Sequence, residues 1–307
     1  MISVVIPLYN KETFIAETIQ SVLDQSFTQF ELIIVNDGST DYSVSVVKQF
    51  QDSRIQLIEI EKSGVSKARN TGIRSSIYQW IAFLDADDWW DSKFLEEMVA
   101  AIATYKEHKL FASGRTHVFK NETIYYTNPY LPEEGTVGTV NFFKVISRHL
   151  PLINSSNAVI SKSLIEQVGF FREAQKMHED HDLWMRLSIG EDVVFINKNL
   201  SFYRNTETNS ASKMYYEPND FSTFLQTLIQ TRKDLTKIEK IHFKKYANRF
   251  VTLTYIKNYS HYSRQEDKEV IRLAQMLVTG KYQLLLRSLH WFPYKKTYPI
   301  FKFFQFH

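Results

Sequence analysis

The chain has 307 residues, 44% hydrophobic and 15% aromatic, with a net charge of +3 and no cysteine. That length and apolar content suit one large α/β domain with a sizeable core and an appendage of helices. Without cysteine, disulfides, thiolate metal sites and cysteine nucleophiles are excluded, and so mild a positive charge gives no ground for a nucleic-acid partner. The sequence opens on Ile2-Ser3-Val4-Val5-Ile6-Pro7, with no basic leader and no apolar span of membrane length. A cytoplasmic protein is therefore expected.

Ile2 to Ile6 reads as a strand closed by Pro7, followed by the turn Leu8-Tyr9-Asn10. A helix follows, with Phe14, Ile15, Ile19, Val22 and Leu23 on one face. The second strand, Phe30 to Val35, runs into Asn36-Asp37-Gly38-Ser39-Thr40-Asp41, a turn rich in oxygens and backbone donors, before a helix through Val44, Val46 and Val47. Ile55 to Ile60 is the third strand. Next come Ser63 to Gly72, a glycine-bounded turn and short helix carrying Lys67 and Arg69. Trp80 to Leu84 is the fourth strand, and the helix after Asp91 buries Phe94, Leu95, Met98, Val99 and Ile102. This alternation predicts a Rossmann-like, mostly parallel sheet with helices on both faces.

The fourth strand stops in Asp85-Ala86-Asp87-Asp88, and in open α/β sheets ligands bind beyond the carboxyl ends of the strands. Alternation along an extended chain points Asp85 and Asp87 the same way. The pair suits Mg²⁺ or Mn²⁺, which take carboxylate oxygens and are completed by substrate phosphates. The other reading of Asp87 or Asp88 is a cap for the helix starting near Ser92.

From Leu110 to about Asn157 the pattern loosens into short strands, a loop over Pro129 to Gly138 and a helix through Phe142 to Ile146, where a second substrate would be read. Leu152 to Ile160 leads to a helix at Leu164 to Val168 with Gly169 as C-cap. His178-Glu179-Asp180-His181-Asp182 then opens an amphipathic helix whose Leu183, Trp184 and Leu187 face inward. Acids favoured by the helix dipole are one explanation; catalytic chemistry is the other. From Pro218 onward the chain is helical, over Phe221 to Ile229, Ile238 to Ile256 and Val270 to Leu277. Residues 281–307 carry Lys281, Arg287, Lys295, Lys296 and Lys302 among aromatics with no acidic residue. That stretch fits peripheral association with anionic lipid, a docked helix with an aromatic tail covering the core, or a homodimer interface.

Five segments, in order, resemble the inverting family 2 glycosyltransferases, which have the GT-A fold: Val5 to Asn10, Ile34 to Asp41, Gly64 to Gly72, Phe83 to Asp88 and Glu179 to Trp184. The likeness covers roughly the first two thirds of the chain. It implies a glycosyltransferase domain over 1–215, with a nucleotide-sugar half at 1–110 and an acceptor half at 111–215; it says nothing of residues 216–307, which read from their own composition as a helical, basic and aromatic C-terminal region. By the same resemblance Pro7, Tyr9 and Asp37 hold the nucleobase, with Tyr9 stacking and Asp37 accepting from the ring N–H. Lys67 and Arg69 face the nucleotide, Asp85 approaches the ribose or a metal-bound water, Asp87 binds the divalent cation, and Asp180 is the general base. The donor is a nucleotide-sugar, UDP by default. The acceptor is a saccharide or lipid-linked glycan of the cell surface, met on the inner face of the cytoplasmic membrane.

Inverting transfer is one in-line displacement, needing a carboxylate on the acceptor side and charge stabilisation on the leaving-group side. Asp182 is the rival base, but side chains two apart on a helix diverge, so Asp182 is expected to cap the helix or fix a neighbour. Thr206 stands where the family's Tyr-Arg-x-His-Ser segment has histidine, and Arg204 of that segment is either a pyrophosphate ligand or a surface arginine. A nucleotidyltransferase would show a glycine-rich loop after the first strand, and Leu8 to Glu12 has no glycine. A glycan-binding module without catalysis would not require Asp37, Asp85, Asp87 and Asp180 together.

Overall fold

The structure, a computed structural model, describes residues 1–205, 217–258, 262 and 264–289. The first part alternates β1 (Ile2–Leu8), α1 (Ile15–Leu23), β2 (Phe30–Asp37), α2 (Ser43–Val47), β3 (Ile55–Ile60), α3 (Val65–Ser75) and β4 (Trp80–Phe83). Its strands lie side by side in the order β3-β2-β1-β4, all parallel. Alternation along β1 sends Val5 into one hydrophobic cluster and Ile2, Val4, Ile6 and Leu8 into another on the opposite face. Both faces of β1, β2 and β4 are covered, which explains why they read as largely apolar runs, whereas the edge strand β3 alternates with the exposed Gln56 and Glu59.

Pro7 does not end β1; it pairs with Val35 of β2, and the strand runs one residue further to Leu8, opposite Asn36. Only Ile2 to Val5 pair with β4, and the last bond on that side is Leu84 N–H to the Val5 carbonyl at 3.2 Å. Pro7 lies beyond the reach of that partner, where a missing N–H leaves no ladder bond unmade. Helix α3 crosses β1 at Gly72, where an added Cβ would run into Val5 Cγ1. Glycine is required there by close approach, since it is the helix backbone that meets the strand.

Beyond β4 come β5 (Trp89–Trp90), α4 (Phe94–Thr104), β6 (Leu110–Val118), β7 (Thr123–Tyr125), β8 (Val137–Val140), α5 (Phe142–Ile146), β9 (Ala158–Ser161), α6 (Lys162–Val168), α7 (Glu179–Leu187) and β10 (Val193–Arg204). The sheet continues β4-β9-β6-β10-β5, with β9 antiparallel to both neighbours and β6 parallel to β10. Strand β10 was not expected from the sequence. It pairs with β6 over Val194 to Arg204 with register shifts around Asn199, and it carries Arg204 back to the ends of the parallel strands.

The C-terminal helices are α8 (Pro218–Asp234), α9 (Lys237–Asn258), α10 (Arg264–Leu277) and α11 (Lys281–Leu289). Phe221, Phe224, Leu228, Phe243, Val251 and Tyr255 belong to the same hydrophobic cluster as Phe83, Phe143, Trp184 and Leu187. Among the described residues no helix is long and apolar enough to cross a membrane. Thr206 and residues 290–307 of the basic aromatic stretch 281–307 lie outside the described residues.

Candidate active site

The carboxylates after β4 do not lie on an extended strand. The strand stops at Phe83, and Asp85 to Asp88 form a turn in which the Asp88 N–H donates to the Asp85 carbonyl at 3.0 Å. Alternation is therefore not what sets Asp85 and Asp87; the turn does. Arg69 Nη2 donates to Asp85 at 2.7 Å and Lys11 Nζ to Asp87 at 2.6 Å. Asp88, 1% exposed, accepts from Ser156 Oγ at 2.5 Å and from the Arg204 backbone N–H at 2.9 Å, so it anchors the turn to β10 rather than capping α4.

Burial, together with the charges of Asp85 and Asp87, lifts the Asp88 carboxyl well above its ordinary range. Asp85 is also raised, by burial first and by the Asp87 charge, with Arg69 opposing. Repulsion among three acids marks a place short of positive charge, and an all-oxygen donor set is what a hard divalent cation takes. The residues present thus fit Mg²⁺ or Mn²⁺ held by Asp85 and Asp87. Lys11, absent from the sequence expectations, is a second cation at the same place; its position next to Asn10 gave no signal of that partnership.

On the expected nucleobase side, Asp37 is 4% exposed and already holds the backbone N–H groups of Ser63 at 2.7 Å and Gly64 at 2.8 Å. It fixes the entry to α3, where Gly64 has a φ of 100°. Tyr9 is 37% exposed, with the Lys62 ammonium 4.2 Å from its ring centroid and bonded to its hydroxyl at 2.5 Å. Pro7 precedes it at the end of β1. Lys67 does not join the acidic turn; it faces Glu173 at 3.5 Å. Arg204 reaches the turn through its Nε, which donates to the Asp87 carbonyl at 2.9 Å, while Nη2 pairs with Glu17 at 2.5 Å.

Arg69 joins the two acidic centres. Its side chain is 5% exposed and spans Asp85 and Glu179, the latter at 3.0 Å, with the Phe171 ring centroid 5.2 Å from the guanidinium carbon. Neighbouring Asn70 exchanges hydrogen bonds with the Phe171 backbone at 2.9 and 3.0 Å. Together they fasten α3 to the segment that leads into α7. Only the planar fork of arginine serves two carboxylates at once in this way.

Asp180 follows in the first turn of α7. Burial opposes its ionisation, but the His181 and His178 imidazoles, Arg69 and the His181 backbone N–H hold its carboxyl below the ordinary range. Glu179 goes the other way: burial, then the Asp180 charge, push it up to about 7 against the pull of Arg69. Two adjacent acids with pKa values driven apart are what a site using one ionised carboxylate presents. Asp182 is excluded from it, being 1% exposed and locked between Arg172 and Arg186, both at 2.8 Å. As expected, it fixes neighbours.

The sequence model described as "Glycosyl transferase family 2" matches residues 3–169. Glycosyltransferase GlyA of Streptococcus pneumoniae is 30% identical over 227 residues, covering 70% of this chain and 32% of GlyA. The chain likewise spans 35% of an uncharacterized glycosyltransferase of Rickettsia conorii, so it corresponds to about a third of the length of these relatives. Escherichia coli WfgD, named as a UDP-Glc:alpha-D-GlcNAc-diphosphoundecaprenol beta-1,3-glucosyltransferase, is 28% identical over 221 residues, covering 71% of this chain and 82% of WfgD. Among solved structures, S. aureus TarS 1-349 in complex with UDP-GlcNAc superposes with a TM-score of 0.78 at 19% identity, over 100% of this chain and 93% of that one. The chain thus shares the fold of TarS, and the family match spans more than half of its length: it belongs to glycosyl transferase family 2.

Proposed function

We propose that the chain transfers a single sugar, with inversion, from a UDP-sugar to a saccharide or lipid-linked saccharide acceptor in cell-surface polysaccharide synthesis. The observation that supports this reading is Arg69, which ties the Asp85 end of the turn to the Glu179-Asp180 start of α7, the two ends that the reading assigns to the leaving group and to the acceptor. Residues 1–215 supply the chemistry, with 1–110 taking the donor and 111–215 the acceptor, while 216–307 flanks them. The UDP-sugars in the names of WfgD and of the TarS complex favour uridine as the base.

Pro7, Tyr9 and Asp37 face the nucleobase, with Lys62 moving off the Tyr9 ring as the base stacks. Lys67 and Arg69 line the nucleotide, Asp85 the ribose, and Arg204 the pyrophosphate. Asp85 and Asp87 hold a divalent cation, which when bound neutralises the charge that grows on the departing diphosphate. Asp180, kept ionised by its neighbours, takes the proton of the acceptor hydroxyl as that oxygen attacks the anomeric carbon from the opposite side.

The test is UDP release from a panel of UDP-sugars with Mn²⁺ and an envelope lipid extract as acceptor. Wild type is expected to turn over one donor, and Asp180→Asn to bind UDP equally well while losing about 10²- to 10⁴-fold in rate. Undiminished release by Asp180→Asn would remove Asp180 from the role of base.

A further inference from the structure

A second cluster of metal-binding side chains sits at the acceptor end of the site, apart from the Asp85–Asp87 turn. His178, Asp180 and His181 each offer one donor atom, and these atoms all lie within 4.8 Å of one another. The two imidazoles are stacked, with ring centroids 4.8 Å apart, and both rest on Phe250, at 5.1 and 6.1 Å. Phe224 backs His178 at 4.7 Å. Helices α8 and α9 therefore hold the rings of α7 in place.

Two buried polar atoms in this neighbourhood have no partner. His181 Nδ1 is one, and the hydroxyl of Tyr246 is the other, in a side chain only 4% exposed. Tyr246 stacks on Phe250 with centroids 5.1 Å apart and lies close enough to Asp180 for the carboxylate charge to act on its hydroxyl. A buried polar atom left unpaired is destabilising. Two of them beside one carboxylate point to a missing ligand with its own water shell.

We infer that His178, Asp180 and His181 form a binding site for a transition-metal cation of the Zn²⁺ type, with an open fourth position beside the Tyr246 hydroxyl. Two imidazole nitrogens and one carboxylate oxygen are the donor set of a three-ligand zinc centre with a bound water. The all-oxygen turn at Asp85 and Asp87 prefers Mg²⁺ or Mn²⁺, so the two sites sort different ions. The water on the fourth position satisfies the Tyr246 hydroxyl, and metal coordination satisfies a His181 nitrogen. A carboxylate bound to a cation is a poor proton acceptor, so Zn²⁺ here inhibits sugar transfer; this consequence alone rests on Asp180 being the base.

The test is direct binding, which needs neither a donor nor an acceptor. The full chain, stripped with chelator and free of nucleotide, is titrated with Co²⁺ as a visible probe of tetrahedral nitrogen and oxygen coordination, and Zn²⁺ is then added. One Co²⁺ per chain with visible bands, displaced by Zn²⁺, is expected. The bands are expected to be lost in His181→Ala and His181→Gln and kept in Asp87→Ala, with thermal melts showing each variant folded. No bands in wild type, or bands that persist in both folded His181 variants or vanish in Asp87→Ala, overturn the site. Since the readout is not activity, failure of the transferase reading leaves this result standing, and the reverse also holds.

Discussion

At the scale of single residues, the candidate site is a set of acids whose charge is only partly compensated. Glu179 states this most plainly, because its carboxyl is pushed up to about 7 while that of its neighbour Asp180 is held down. A carboxyl raised in the folded state keeps its proton there after the unfolded chain has lost it. Its contribution to stability is therefore complete below the ordinary glutamate value of 4.5 and is lost as pH rises to about 7. Glu179→Gln is expected to remove that fall, up to about 3 kcal/mol, and to flatten the melting temperature between pH 5 and 7.5 relative to wild type. Equal pH slopes in the two proteins would contradict the assignment. In the sequence, Glu179 looked like a helix-dipole acid; what raises it is burial and then the Asp180 charge, and the partner that opposes them, Arg69, lies 110 residues away, which no local pattern announces. Lys11 on Asp87 and Ser156 on Asp88 were hidden for the same reason.

Among the elements, β1, β2 and β3 were legible as short, β-branched, apolar-rich segments bounded by polar turn residues, and α3 as the stretch opened by Gly64. β10 was not legible. Its apolar start, Val193 to Ile196, gives way to Asn197-Lys198-Asn199, which reads as a turn, yet the strand continues through a bulge opposite Gly114. There the absence of a side chain admits the Lys198 carbonyl, which a Cβ on Gly114 would meet at 2.7 Å. The turn at Asp85 to Asp88 was misread as strand because the apolar run gives no sign that β4 stops two residues before Asp85. Gly72 shows how tightly these elements are set. Gly72→Ala forces a methyl into Val5 and is expected to destabilise by about 1–3 kcal/mol in urea unfolding, with partial recovery in Val5→Ala/Gly72→Ala. A Gly72→Ala protein as stable as wild type would mean that α3 and β1 are not in contact as described.

For the molecule as a whole, the helices after residue 217 share a hydrophobic cluster with the sheet and with α7, and they back the histidines that flank Asp180. Their helical nature was clear from composition, but where they dock was not, since amphipathic faces do not name their partners. A chain ending at residue 205 would expose the cluster around Trp184 and Phe143. It is expected to bind a hydrophobic dye and to lose cooperative unfolding by near-UV circular dichroism; a sharp transition would show that the helices are dispensable to the core. The central claim, a metal-assisted nucleotide-sugar site at the ends of the parallel strands, is tested most directly by calorimetric titration with UDP, with and without Mn²⁺, in wild type and Asp87→Ala. Binding that requires Mn²⁺ and is lost in Asp87→Ala is the predicted result. No binding of UDP under either condition, or binding indifferent both to Mn²⁺ and to Asp87, would contradict it.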